Sequence, residues 1–170
     1  RSVGSNDENT PLVIHPRHYV EVEDNAKCTI IEHHIGTGHY VTNHALEMEI
    51  DDHAVVQHYR IQEDSTDAVH IATHDIEIDD HADYDGFTYT VGAKLSRHEV
   101  WAYMDGEHAI CHLNGVYLLE DRQLGDTTLR VEHMNTDGQS NQDYKGVLDD
   151  RAKGVFQGKV HVHRGAQRTD

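Results

Sequence analysis

The chain has 170 residues, enough for one domain that buries roughly two-thirds of its unfolded surface. Its 14 Lys and Arg face 31 Asp and Glu, a formal charge of -17 with the 17 histidines neutral. That balance repels nucleic acid and anionic membrane surfaces, since phosphate binding needs a basic face. No apolar run approaches the ~18–20 residues of a membrane span.

Residues 1–13 hold no apolar signal-peptide core and read as a flexible lead-in to a single domain over 14–170. Both prolines, Pro11 and Pro16, precede the first repeat, so the rest is free to pair its backbone in sheets. The repeats then begin. Val20-Glu-Val-Glu-Asp-Asn-Ala26 is followed by Met48-Glu-Ile-Asp-Asp-His-Ala54 and Ile76-Glu-Ile-Asp-Asp-His-Ala82. Ala102-Tyr-Met-Asp-Gly-Glu-His-Ala109 carries one extra residue, and later copies end at Ala152 and Ala166. The alanines are spaced 28, 28, 27, 43 and 14, close to multiples of 14.

Between the repeats, apolar and polar residues alternate, as in Leu46-Glu-Met-Glu-Ile50 and Lys159-Val-His-Val-His163. No ten-residue stretch keeps apolar residues at helical spacing, so the chain reads as all-β. A sandwich or barrel does not require successive elements to be copies at one spacing; a solenoid does, because each turn must match the one beneath it. A 28-residue repeat split into halves of 14 predicts a parallel β-helix, two strands per turn and about six rungs.

Aligned copies form columns. Val22, Ile50 and Ile78 make an aliphatic ladder, and Val20, Met48 and Ile76 its neighbour. Cys28 and Cys111 each lie two residues after a repeat alanine, hence in one column three turns apart. At ~4.8 Å per strand they are about 14 Å apart, too far for a disulfide, and they read as packing residues of a reducing compartment.

The column Asn25, His53, His81 and His108 precedes the turn alanine. His53, His81 and His108, about one strand spacing apart, are the candidate metal ligands, with Asp51, Asp52, Asp79 and Asp80 as oxygen donors beside them. The competing reading is a solvated turn that favours polar residues. His161 and His163, two apart, share a strand face. No phosphate loop and no Gly-x-Ser-x-Gly elbow occurs, and no catalytic residue is nominated.

The second half is less repetitive. Leu113-Asn-Gly-Val-Tyr-Leu-Leu119, Val131-Glu-His133 and Tyr144-Lys-Gly-Val-Leu-Asp-Asp-Arg-Ala-Lys-Gly-Val-Phe-Gln-Gly158 stand out. With Gln57-His-Tyr-Arg-Ile-Gln62, His70-Ile-Ala-Thr73 and Ala166-Gln-Arg-Thr-Asp170, they resemble the SufB/SufD family of iron–sulfur cluster assembly, from about Ile14 to Asp170 and on the SufD side. The resemblance implies a right-handed parallel β-helix core and a cytoplasmic, non-catalytic scaffold. It also implies a SufB-like sister subunit and a SufC-like ABC ATPase as partners, and an iron–sulfur cluster for the complex rather than a cofactor of this fragment alone. The Cys-x-His-Gly phrase of SufD-like members and their flanking helical regions are not found within 1–170, so the reading is of a truncated or shortened core, and no cluster ligand is carried over. An isolated coil with open strand edges is expected to form a homodimer or to need a cap. Two other classes fit a histidine-rich β-helix: a polysaccharide lyase-like enzyme, and a metal-binding module built on the histidine column.

Overall fold

Alternating strands and evenly placed turns give thirteen strands among the described residues of the computed structural model, which are 1–7 and 9–170. They are β1 (Ser2–Val3), β2 (Leu12–Ile14), β3 (Arg17–Val22), β4 (Lys27–Thr37), β5 (Tyr40–Ile50), β6 (Val55–Glu63) and β7 (Val69–Ile78). Then follow β8 (Asp83–Thr90), β9 (Leu95–Met104), β10 (Ile110–Leu119), β11 (Leu124–His133), β12 (Gln139–Leu148) and β13 (Lys153–Val162). Each long strand pairs in parallel with the strand two further on, giving one sheet ordered β1-β4-β6-β8-β10-β12 and another ordered β13-β11-β9-β7-β5-β2, with β3 also on β5. The result is a parallel β-helix of about five turns. Within the segment read as a lead-in, Ser2–Val3 pairs with Gly36–Thr37 and Leu12–Ile14 with Tyr40–Thr42. No helix among the described residues is long and apolar enough to cross a membrane.

The repeat alanines stack. Val55, Asp83, Ile110 and Gln139 donate their N–H groups to the carbonyls of Ala26, Ala54, Ala82 and Ala109, so these alanines form one file. Ala152 stands at the opposite corner, where Lys153 donates to Gln123 and Leu124 to Lys94; a spacing of 43 is one and a half turns. The expected apolar columns are ladders too: Val22, Ile50, Ile78 and Met104 are in register, as are Val20, Met48, Ile76 and Ala102. Cys28, Val56, Tyr84 and Cys111 form the facing column, and both cysteines are free. Burial pushes the Cys111 thiol up to about 12, which leaves it an inert packing group.

The extra residue of the fourth repeat forms a bulge: Asp105 and Gly106 both donate to the carbonyl of Ile78. A Cβ on Gly106 would lie 2.0 Å from the carbonyl carbon of Asp79 and 2.1 Å from the nitrogen of Asp80, the backbone of the turn beneath. Neither backbone can retreat without breaking its own ladder. Gly106→Ala is therefore expected to lower stability by roughly 3 kcal/mol or more in urea unfolding, whereas an alanine at exposed Asp105 changes it by less than about 1 kcal/mol.

Candidate functional site

The interior changes character along each strand. Near the alanine corner it is aliphatic, with Ile50, Ile76, Ile78 and Met104 at most 1 % exposed. Two to eight residues earlier in the second sheet, and later in the first, the inward positions become His44, His70, His74 and His98, and Glu32, His58, Arg60, Gln62 and Asp64. The period-2 pleat aims these polar side chains at the same space as the aliphatic ones.

At one side of this polar interior sits Asp64. It accepts hydrogen bonds from the Tyr40 hydroxyl at 2.5 Å and Gln62 Nε2 at 2.9 Å, and His70 Nδ1 lies 2.8 Å from its Oδ2. Arg60, fully buried, donates through Nη2 to His70 Nε2 at 2.6 Å. That acceptance places the His70 proton on Nδ1, facing the carboxylate. Burial alone raises the Asp64 pKa, but the contacts from His70, Tyr40 and Gln62 outweigh it and hold the carboxyl well below its usual 3.8.

Glu32 occupies the other side, surrounded by imidazoles. His44 Nε2 is 3.2 Å and His34 Nε2 3.9 Å from its Oε1, while His58 Nε2 and His74 Nε2 are 3.0 and 3.4 Å from its Oε2. Burial pushes the Glu32 pKa up, but the His58 contact, then His44 and His34, hold it at about 2. Burial drives the histidines the other way, His34 to about 3, His44 to about 4 and His74 well below 6.5. At neutral pH Glu32 is a carboxylate, with His34, His44 and His74 held neutral beside it. Since Glu32 can only accept, His58 donates to it through Nε2–H, and in that tautomer the Tyr84 hydroxyl donates to His58 Nδ1 at 2.9 Å. An open cavity of about 510 Å³, walled in part by Glu32, His34, His44 and His18, reaches the cluster from outside.

Three trios offer ligand atoms within 4.8 Å of one another: Glu32 with His34 and His44, Glu32 with His58 and His74, and Glu132 with His161 and His163. In the last, Glu132 Oε2 accepts from His161 Nδ1 at 2.7 Å and His163 Nε2 at 2.6 Å, and Arg130 also occupies the carboxylate. That pair of histidines was visible in the sequence; the Glu32 cluster was not.

The column His53, His81 and His108 lies outside, at the turn. Its rings stack, with centroids 4.9 and 4.8 Å apart. Asn25, His53, His81, His108, Asp137 and Arg168 all have φ between 56 and 60°. This is the left-handed region, where Asn, Asp and His are enriched among non-glycine residues. The neighbouring acids serve the turns: Asp52 Oδ1 accepts from the Asp80 N–H and Asp80 Oδ1 from the Glu107 N–H. Backbone conformation thus accounts for the residue types. Replacing His53, His81 and His108 by Asn is expected to shift the melting temperature by only a few degrees, whereas His81→Val costs about 1–2 kcal/mol.

Comparison with known proteins agrees with this architecture. The SUF system FeS cluster assembly, SufBD core domain, matches residues 3–170. The chain belongs to the SufBD family. It is 34 % identical over 171 residues to an iron-sulfur cluster assembly SufBD family protein of Synechocystis sp., covering 95 % of this chain and 38 % of that protein. It is 23 % identical to the iron-sulfur cluster assembly protein SufD of Escherichia coli, covering 92 % and 37 %. To the chloroplastic protein ABCI7 of Arabidopsis thaliana it is 28 % identical, covering 93 % and 34 %. The chain spans a little over a third of the length of these relatives. In this SufBD core, the phrases Gln57–Gln62 and His70–Thr73 that carry the family resemblance are those that send His58, Arg60, Gln62 and His70 inward.

Proposed function

We propose that this chain is the core of a non-catalytic scaffold subunit for iron–sulfur cluster assembly. It works by associating with a SufB-like sister subunit and a SufC-like ABC ATPase in a cytoplasmic complex, the cluster being cargo rather than a resident cofactor. The observation that carries this reading is that the SufBD core match runs along the whole stack, residues 3–170. The fold supports it physically. A β-helix is a rigid ladder in which each turn contacts only its neighbours, so the edges of its last strands accept a further turn from the same polypeptide or from a partner. On β13, Phe156, Val160 and Val162 are 43, 49 and 50 % exposed, an apolar face suited to such docking. The test is co-expression of the full-length protein with the SufB-like and SufC-like proteins of its source. Elution of all three as one complex that carries labile iron and sulfide is the expected result. A chain that elutes alone in their presence, or that depolymerises an acidic polysaccharide, would overturn the reading.

A further inference from the structure

We propose that Glu32, with His58 and His74 at one carboxylate oxygen and His34 and His44 at the other, is a binding site for a divalent transition-metal cation inside the coil. The donor set is the first argument. Imidazole nitrogen with one carboxylate suits Zn²⁺, Fe²⁺ or Co²⁺, and the ligand atoms of each trio lie within 4.8 Å of one another.

The second argument is unspent lone pairs. The His44 side chain is 1 % exposed and neither of its ring nitrogens has a hydrogen-bond partner; His74 is 2 % exposed and its Nε2 has none either. Leaving buried polar nitrogens unpaired costs roughly 1–3 kcal/mol each, and both aim at Glu32. A cation at Glu32 uses these orphaned nitrogens.

The surroundings allow it. His58 is the one ring already engaged, and its partner Tyr84 is a hydroxyl that accepts as well as donates. Moving the His58 proton from Nε2 to Nδ1 keeps that bond and frees Nε2 for a metal, an outer-shell arrangement typical of ligating histidines. The cavity along Glu32, His34 and His44 gives an entry path. The site differs from the turn column, whose rings stack in solvent, and from Glu132, whose carboxylate is shared with Arg130.

The test is titration of chelator-treated, full-length protein with Zn²⁺ by calorimetry and with Co²⁺ by visible absorption. The expected result is a stoichiometric site with a Co²⁺ ligand-field band, weakened at least tenfold by Glu32→Gln and by His74→Gln. The triple change of His53, His81 and His108 to Asn is expected to leave it intact. Circular dichroism of the metal-free variants separates lost binding from lost folding, and His44→Gln, nearer the cavity, provides a further variant should His74→Gln unfold. Anomalous diffraction at the zinc edge is expected to place the ion beside Glu32. Saturable binding that survives Glu32→Gln, binding lost in the turn variant, or an ion found at Glu132 would each overturn the proposal. So would the absence of a stoichiometric site.

Discussion

Asp64→Ala is expected to remove about 3–5 kcal/mol of stability, more than truncating any single aliphatic side chain short of Ile or Leu. The carboxylate is almost completely enclosed and is the common acceptor of Tyr40 and Gln62, with His70 beside it. Gln62 also accepts from the Gly92 N–H at 3.1 Å, so the network reaches the corner of the next turn. Without the carboxylate, a hydroxyl, an amide and an imidazole lose their acceptor, and Arg60 loses one of two buried anions. Asp64→Asn retains an acceptor oxygen but not the charge, and is expected to fall between wild type and alanine. Urea unfolding measures both; a loss below about 1 kcal/mol for Asp64→Ala would show that the network contributes little.

The second large effect is acid lability of the metal-free chain. Burial, and then the charge of Arg60, hold the His74 and His98 pKa values well below their usual 6.5. In the unfolded chain each titrates normally. Below pH 6.5 the unfolded state therefore takes up protons that the fold refuses. Their contribution is complete above that pH and is lost as the pH falls towards the folded values. Each group costs about 1.4 kcal/mol per pH unit in this window, so the two together cost roughly 3 kcal/mol per unit. His34, held at about 3, and His44, at about 4, act in the same direction. The carboxylates of Glu32 and Asp64, held low, add their loss only below their own ordinary range. Thermal melts in the presence of chelator are expected to show stability falling from pH 6.5, not from pH 4, with a shallower slope in His98→Gln. A flat profile between pH 7 and 5 would mean that these rings are not buried neutral.

Most of the architecture was legible because a solenoid writes its geometry into its spacing. Ala26, Ala54 and Ala82 announce the file directly, and Val22, Ile50 and Ile78 the ladder above it. The 43-residue gap to Ala152 even encodes the change of corner. The polar interior was harder to see, since histidine, arginine and carboxylate normally mark solvent-facing positions. The signal lay in parity. Stepping back by two from Ile78 gives Ile76, His74, Ala72 and His70; stepping on from Val56 gives His58, Arg60, Gln62 and Asp64. Every residue on those walks is buried, because the pleat does not change phase between its apolar and polar halves. Glu32 follows from Cys28 by the same count. What the spacing of one strand does not provide is which ring on β5 or β7 meets Glu32 across the coil, because that depends on the distance between facing sheets. The turn histidines were conspicuous for a different reason: their position recurs at every repeat, and its left-handed φ favours Asn, Asp and His, with Arg168 the exception.

All of this depends on register, and register is measurable by electron–electron resonance between nitroxide labels in a background with Cys28 and Cys111 replaced by alanine. Asn25, His53, His81, His108, Asp137 and Arg168 occupy successive rungs of one corner. Cysteine pairs at 25 and 137 and at 25 and 168 are therefore four and five rungs apart, about 19 and 24 Å at ~4.8 Å per strand. The expected result is two narrow distributions separated by about one strand spacing, with labels at 53 and 168 matching the four-rung pair. Distances that do not increase rung by rung would contradict the stacked coil, and with it the inward placement of Glu32 and its histidines.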